Sequence, residues 1–434
     1  MSSARPSRGL ALLLSIALTL AVALAAAATP VAASSGSGGW LTAWSAAQQD
    51  PGPVSALITD YDGTDGRTVR NIVRSTAAGD KVRVRLTNLY GSQPLTFDDV
   101  QVGLQSAGAA VKPGSTVQAT FGGRTRVTIP VGESAVSDAV ARPVRFGQRL
   151  TISSFSSGPT GTTTTSGGLL HTNYISEPGN HASDDSGAAF TTTVNHWYFL
   201  TGVDVIPKSA RTAGVVALGS SSTAGTGSTP DAGAAWPDVL ADRLHERYPR
   251  SAMPVLNEGV PGNTLHESSP CYGDKALARM NRDVFAQHGV RYLVLAIGSN
   301  DLTQPTQPHT GLLGPCDART PISARGMIKL YKKLIARAHS HDLKVFAATI
   351  SPFGAYKYWS PAIERKRLAI NRWMLNRSHF DAVADFAKAV ADPTDPATLN
   401  PDFDSGDGLH PNDAGYEAQA GRIPLGGRAG LRPR

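Results

Sequence analysis

Val215-Val216-Ala217-Leu218-Gly219-Ser220-Ser221-Ser222-Thr223 is the stretch on which the fold turns. Four apolar residues, half of them β-branched, end at a glycine and three serines. A short apolar run closed by small polar residues reads as a buried strand that delivers its last residues to an open edge. Further apolar runs follow, predicting strands over 253–257, 291–297 and 344–350 beside the one over 214–218. Helical periodicity lies between and after them, over 236–247, 275–287, 324–340 and 361–376. Strand, loop and helix in repetition specify a three-layer α/β/α domain around a parallel sheet, placed here over residues 211–422. Ligands of such sheets sit beyond the carboxyl ends of the strands.

Residues 40–206 have a different character. Short alternating or β-branched runs recur over 68–73, 81–87, 124–129, 149–155 and 191–200, with Gly, Pro, Ser and Asn between them. This is the pattern of an antiparallel β-sandwich or jelly roll. The Ser/Thr/Gly-rich stretch 156–168 reads as an exposed loop. The aromatics Trp40, Trp44, Trp197 and Tyr198 are placed either in the core or on a sugar-binding platform.

The chain has 434 residues and a formal net charge of +7. Its first 33 residues read as a secretory signal peptide: Arg5 and Arg8, an apolar run over 10–28, then Val31-Ala32-Ala33. An uncleaved anchor is the competing reading. No later run is long enough to cross a bilayer, so stable membrane insertion is not expected. The basic residues are scattered over helix faces, which excludes a nucleic-acid partner and leaves at most attraction to anionic wall polymers. The two cysteines, Cys271 and Cys316, favour a disulfide in an exported chain; two buried thiols are the other reading. No Cys/His spacing resembles a metal site, and no dinucleotide or phosphate loop is present, so neither metal nor cofactor is expected. Residues 423–434 form a basic Gly/Pro/Arg tail that cannot continue a helix and reads as disordered or foreign to the fold.

Three more polar clusters accompany the serines. They are Asn257-Glu258-Gly259-Val260-Pro261-Gly262-Asn263, Gly298-Ser299-Asn300-Asp301, and Asp407-Gly408-Leu409-His410-Pro411-Asn412. Serine, imidazole and carboxylate together are the parts of an acyl-transfer site. In order and spacing the four clusters resemble the sequence blocks of the GDSL, or SGNH, hydrolases, and the resemblance runs from about residue 215 to 416. It implies Ser221 as nucleophile, His410 as general base and Asp407 as the group orienting it. It also implies an oxyanion hole formed by the Ser221 and Gly262 backbone N–H groups and the Asn300 side-chain amide. The chain departs from the family in having Ser220 where Asp is usual, Ser222 where an apolar residue is usual, and Ala224 where Asp is common. Ser220 and Ser222 therefore stand as alternative nucleophiles at the same turn. Asn412 is the expected cap of the helix that follows.

The function implied is a secreted serine esterase acting on small-molecule or polysaccharide esters through an acyl-enzyme. An α/β-hydrolase lipase is excluded, because no Gly-x-Ser-x-Gly occurs. A carbohydrate- or wall-binding protein with a weakened hydrolase site is the alternative from another class. Oligomeric state is not legible.

Overall fold

The computed structural model describes residues 39–50, 60, 62–166, 170–307, 310–311, 314–315, 319–377 and 379–433. The leader and Cys316 lie outside the described residues. So does part of the expected exposed loop at 167–168.

Five parallel strands make the central sheet, in the order Val255–Gly259, Gly214–Gly219, Val290–Ala296, Lys344–Ala348, Ala382–Ala384. Side chains alternate across a strand, so each strand feeds two cores. Val216 and Leu218 join Leu256, Leu293, Leu295, Val345 and Ala347 on one face, under the helices Ala324–His339 and Pro361–Arg377. Val215 and Ala217 join Val255, Val294, Phe346 and Ala348 on the other, under Trp236–Arg247 and Asp413–Gly421. Both faces are covered, which is why these strands read as near-continuous apolar runs. The helix expected over 275–287 starts as Ala276–Met280 and widens into a π-helical turn at Asn281–Phe285.

The first of these five strands in chain order, Gly214–Gly219, lies second in the sheet with a neighbour on each side. The connections to those neighbours depart in opposite directions, and the crevice between them opens at Gly219.

Residues 41–207 build two antiparallel sheets over a shared core. One is four-stranded, in the order Leu41–Ser45, Leu200–Pro207, Gly79–Thr87, Ser134–Val136. The other is centred on Arg67–Arg74, Arg149–Phe155 and Asp99–Ala107. Trp44, Trp197 and Tyr198 are all buried, with the two indoles edge to face at 5.0 Å. They belong to the core, not to a sugar platform. The Arg83 guanidinium lies over the Trp40 ring.

Two expectations are corrected. The stretch read as an exposed loop buries Thr160, Thr163, Thr164, Thr165 and Ser166. Its hydroxyls satisfy neighbouring backbone: Thr160 Oγ1 accepts from Thr64 N at 2.8 Å and Thr164 Oγ1 from Tyr90 N at 2.9 Å. Thr165–Ser166 pairs with Gln48–Gln49. The C-terminal tail is ordered as far as residue 433. Ile423 and Leu431 enter the core under the sheet, and Tyr248 and Tyr292 donate to the carbonyls of Leu431 and Arg432. Gly426 and Gly427, at φ 77 and 65, turn the chain back so that both anchors reach the same core.

The two halves meet through polar contacts within one compact unit, residues 39–434. Ser45 donates to Glu258, Arg74 pairs with Asp238 and Asp242, and Arg85 donates to Gln287 at 2.5 Å. The Ala46–Asn257 bridge places the first strand of the β half beside an edge strand of the parallel sheet.

Candidate active site

Gly214–Gly219 ends in the crevice, and Ser221 opens the short helix Ser221–Ala224. Ser221 Oγ lies 2.8 Å from His410 Nε2. The other ring nitrogen, Nδ1, is 2.6 Å from Asp407 Oδ2. Asp407 Oδ1 accepts from the backbone N–H groups of Leu409 and His410, each at 2.8 Å. The turn and the imidazole thus hold opposite oxygens of one carboxylate. Burial acts to raise the Asp407 carboxyl; the His410 hydrogen bond and charge and the two N–H donors outweigh it and bring it down to about 2. His410 is 9% exposed. The Asp413–Gly421 helix that follows is capped by Asn412, whose Oδ1 accepts from Gly415 N at 3.0 Å, as its residue type predicts.

Of the other two hydroxyls at the turn, Ser220 is 2% exposed and faces inward. Ser220 and Ser222 line a cavity of about 40 Å³ under the turn, with Ser299, Thr349, Ser351 and Gln419. Gln419 Nε2 donates to Ser351 Oγ, and its buried Oε1 has no partner among the described residues. The departures at positions 220 and 222 therefore put small hydroxyls on a cavity of mixed polar and apolar lining behind the nucleophile turn. The hydroxyl that meets the imidazole is that of Ser221.

Gly262 and Asn300 flank the same opening. Gly262 has φ +75, and a Cβ there would fall 2.0 Å from the Tyr272 ring. Only glycine permits both this backbone and this contact. Asn300 Nδ2 donates to Asn263 O at 3.0 Å. An amide nitrogen carries two N–H groups, so one remains to face a ligand. The backbone N–H groups of Ser221 and Gly262 make no hydrogen bond among the described residues.

Several residues that support the site escaped the sequence reading. Arg279 is buried on the sheet-facing side of its helix. It donates to Gly219 O at 2.9 Å, Glu258 O at 2.8 Å and Asn263 Oδ1 at 3.1 Å, and pairs with Asp283. One guanidinium therefore ties the ends of two strands to the loop carrying Gly262. The signal available was an Arg/Asp pair four residues apart on an otherwise apolar face. Asp301 stands inside a quoted cluster; its carboxylate accepts from Leu265 N and His266 N, and burial raises it to about 7. Gln304 Nε2 donates to Gly262 O at 2.6 Å. Tyr272 lies against Gly262, and Tyr356 lies near both Tyr272 and the Asp407 turn. Cys271 is buried, and its expected partner lies outside the described residues. No cluster of three or more metal-ligating side chains occurs among the described residues.

The GDSL-like lipase/acylhydrolase family model matches residues 217–418. A comparison with curated proteins found no match. Among solved structures, a lipase/acylhydrolase from Enterococcus faecalis is 19% identical over 49% of this chain and 93% of its own, at a TM-score of 0.35. A GDSL-like lipase from Bacteroides thetaiotaomicron is 19% identical over 48% and 85%, at 0.33. An acetyl xylan esterase from Geobacillus stearothermophilus is 17% identical over 49% and 93%, at 0.36. The family match falls on the α/β half of this chain and takes in Ser221, Gly262, Asn300, Asp407 and His410.

Proposed function

We propose that the protein is an exported serine esterase that cleaves short-acyl carboxylic esters, those on carbohydrate among them. The observation that carries this reading is the continuous chain from Ser221 Oγ through the His410 ring to Asp407. His410 Nε2 takes the Ser221 proton as Oγ bonds to the ester carbonyl carbon. The carbonyl oxygen becomes an oxyanion, which the N–H groups of Ser221 and Gly262 and the Asn300 amide stabilise; one such donor is typically worth about 3 kcal/mol of barrier. Collapse breaks the bond to the alcohol, which leaves with the proton from His410. Water, deprotonated by the same imidazole, then releases the acid and restores Ser221.

The carbohydrate alcohol is supported by the polar, aromatic border of the opening. Tyr272 and Tyr356 offer flat faces with hydroxyls, and Gln307 reaches the Tyr356 hydroxyl at 3.4 Å. Export rests on the leader sequence. A Cys271–Cys316 bridge belongs to the same proposal, and intact mass before and after reduction and alkylation tests it.

Hydrolysis of p-nitrophenyl acetate by the purified protein and by Ser221→Ala, both checked for folding by circular dichroism, tests the esterase. The parent is expected to turn over, with kcat in the variant lower by about 10³-fold or more. A folded parent without turnover, or a variant that keeps its rate, would end this reading.

A further inference from the structure

The loop that begins at Gly262 has no secondary structure of its own, yet it is held at nearly every peptide. Asn300 takes the carbonyl of Asn263, and Asp301 takes the N–H groups of Leu265 and His266. Three further carbonyls, of Gly262, Glu267 and Ser268, fall to two residues outside the four sequence clusters. Gln304, 4% exposed, donates Nε2 to Gly262 O at 2.6 Å. Arg319 donates to Glu267 O at 2.8 Å, Ser268 O at 3.0 Å, Thr264 Oγ1 at 3.2 Å and Gln304 Oε1 at 3.2 Å.

The last of these contacts fixes a direction. A glutamine amide can present either end to a neighbour, but a guanidinium only donates. Arg319 therefore requires Oε1 on its own side and turns Nε2 toward Gly262 O. Gly262, without a Cβ and at φ +75, has the least intrinsic resistance to rotation of any residue in the loop. Holding its carbonyl fixes the peptide that follows it and limits the rotation that would swing its N–H away from the crevice.

Resting on the serine-esterase reading, we infer that Arg319 and Gln304 are positioning residues, a relay that sets the orientation of the Gly262 arm of the oxyanion hole. They touch no reacting atom. Their effect should appear in the step that develops charge on the carbonyl oxygen and leave ground-state binding nearly untouched.

The test compares Arg319→Ala, Gln304→Leu, the double variant and Arg319→Lys with the parent, in two measurements on the full-length protein. Steady-state hydrolysis of p-nitrophenyl acetate is expected to show kcat lower by about 30-fold in each single variant, with KM within about twofold. The double variant should be no slower than the worse single one, since the two act in series. Arg319→Lys, which restores one donor to Gln304, should recover part of kcat. Hydrogen exchange read by mass spectrometry should quicken over residues 262–268 in both single variants and stay unchanged in the Gly214–Gly219 strand. Parental kcat in the single variants, a loss carried by KM, or losses that multiply in the double variant would overturn the relay. If the parent itself fails to turn over, the esterase reading falls and exchange alone decides: faster exchange over 262–268 upholds the relay, and unchanged exchange overturns it.

Discussion

Asp407 is nearly half exposed, yet its carboxylate is held at about 2 by the His410 ring and by two backbone N–H groups. A carboxyl depressed in the folded state contributes stability that is present above its ordinary range near pH 4 and is lost as pH falls through about 2. From pH 4 upward it does not titrate. Asp407→Asn keeps the shape but presents an N–H to Nδ1 in one amide orientation and favours the wrong tautomer. We expect kcat to fall about 10³-fold with KM little changed; a loss below tenfold would mean that the backbone turn alone orients His410. At Gly262 the limit is steric. Gly262→Ala is expected to lower kcat about 100-fold, since the new Cβ and the Tyr272 ring cannot share the space. Parental kcat in that variant would remove Gly262 N from the oxyanion hole.

The Val255–Gly259 strand carries a buried carboxyl in an unusual position. Glu258 accepts from Ser45 Oγ, and its Oε2 has no partner among the described residues. Burial, with the Asp283 carboxylate nearby, pushes its pKa well above the usual range. An acid raised in the folded state has the opposite sign from Asp407: its stability is present below the unfolded value and is lost as pH rises. Glu258→Gln should therefore match the parent Tm at pH 5 and exceed it at pH 8, read by thermal melts at both values. A variant with lower Tm at both would mean that the strand needs the acid itself. This strand also shows what was legible. The apolar runs located four of the five parallel strands to within two residues at each end, because burial on both faces writes itself into composition. Ala382–Ala384 was missed because three residues make no run. In the β half, the stretch 191–200 split into Thr192–Val194 and the start of Leu200–Pro207. At the site, Ser221, Asp407 and His410 were legible because the clusters that carry them resemble the GDSL blocks; only the Asp407/His410 spacing is local. Gln304 and Arg319 were not, because most of their acceptors are backbone carbonyls on other elements, which leave no trace in sequence; Arg279 left only its pairing with Asp283.

At the scale of the whole molecule the seam between the halves is built on charge. Asp204, fully buried in the Leu200–Pro207 strand, pairs with Arg83 and Arg85 of the β half and with His288 of the α/β half. Burial alone would raise its carboxyl; Arg85, His288 and the Thr42 hydroxyl outweigh it and hold it below the usual range. Its contribution is thus present above about pH 4 and is lost on acidification below that. Asp204→Asn leaves the surrounding cations with a weaker partner and should cost about 3 kcal/mol at pH 7, measured by urea unfolding. The difference from the parent should shrink as pH falls below 4. An equal loss at pH 7 and pH 3 would assign the cost to packing instead of charge.

The first strand of the β half, Leu41–Ser45, has its partners far along the chain. Leu41 sits opposite Val205, and Ala46 bridges to Asn257. Most of the β half must be gathered before this strand gains a neighbour, and its ordering entropy is spent well ahead of any return. Such high contact order makes for slow acquisition of the native state. The strand then lies between Leu200–Pro207 and the edge of the parallel sheet, and its departure requires both seams to open. The lifetime of activity after a heat pulse should accordingly follow the height of an unfolding barrier, with little bearing on the equilibrium between folded and unfolded chains.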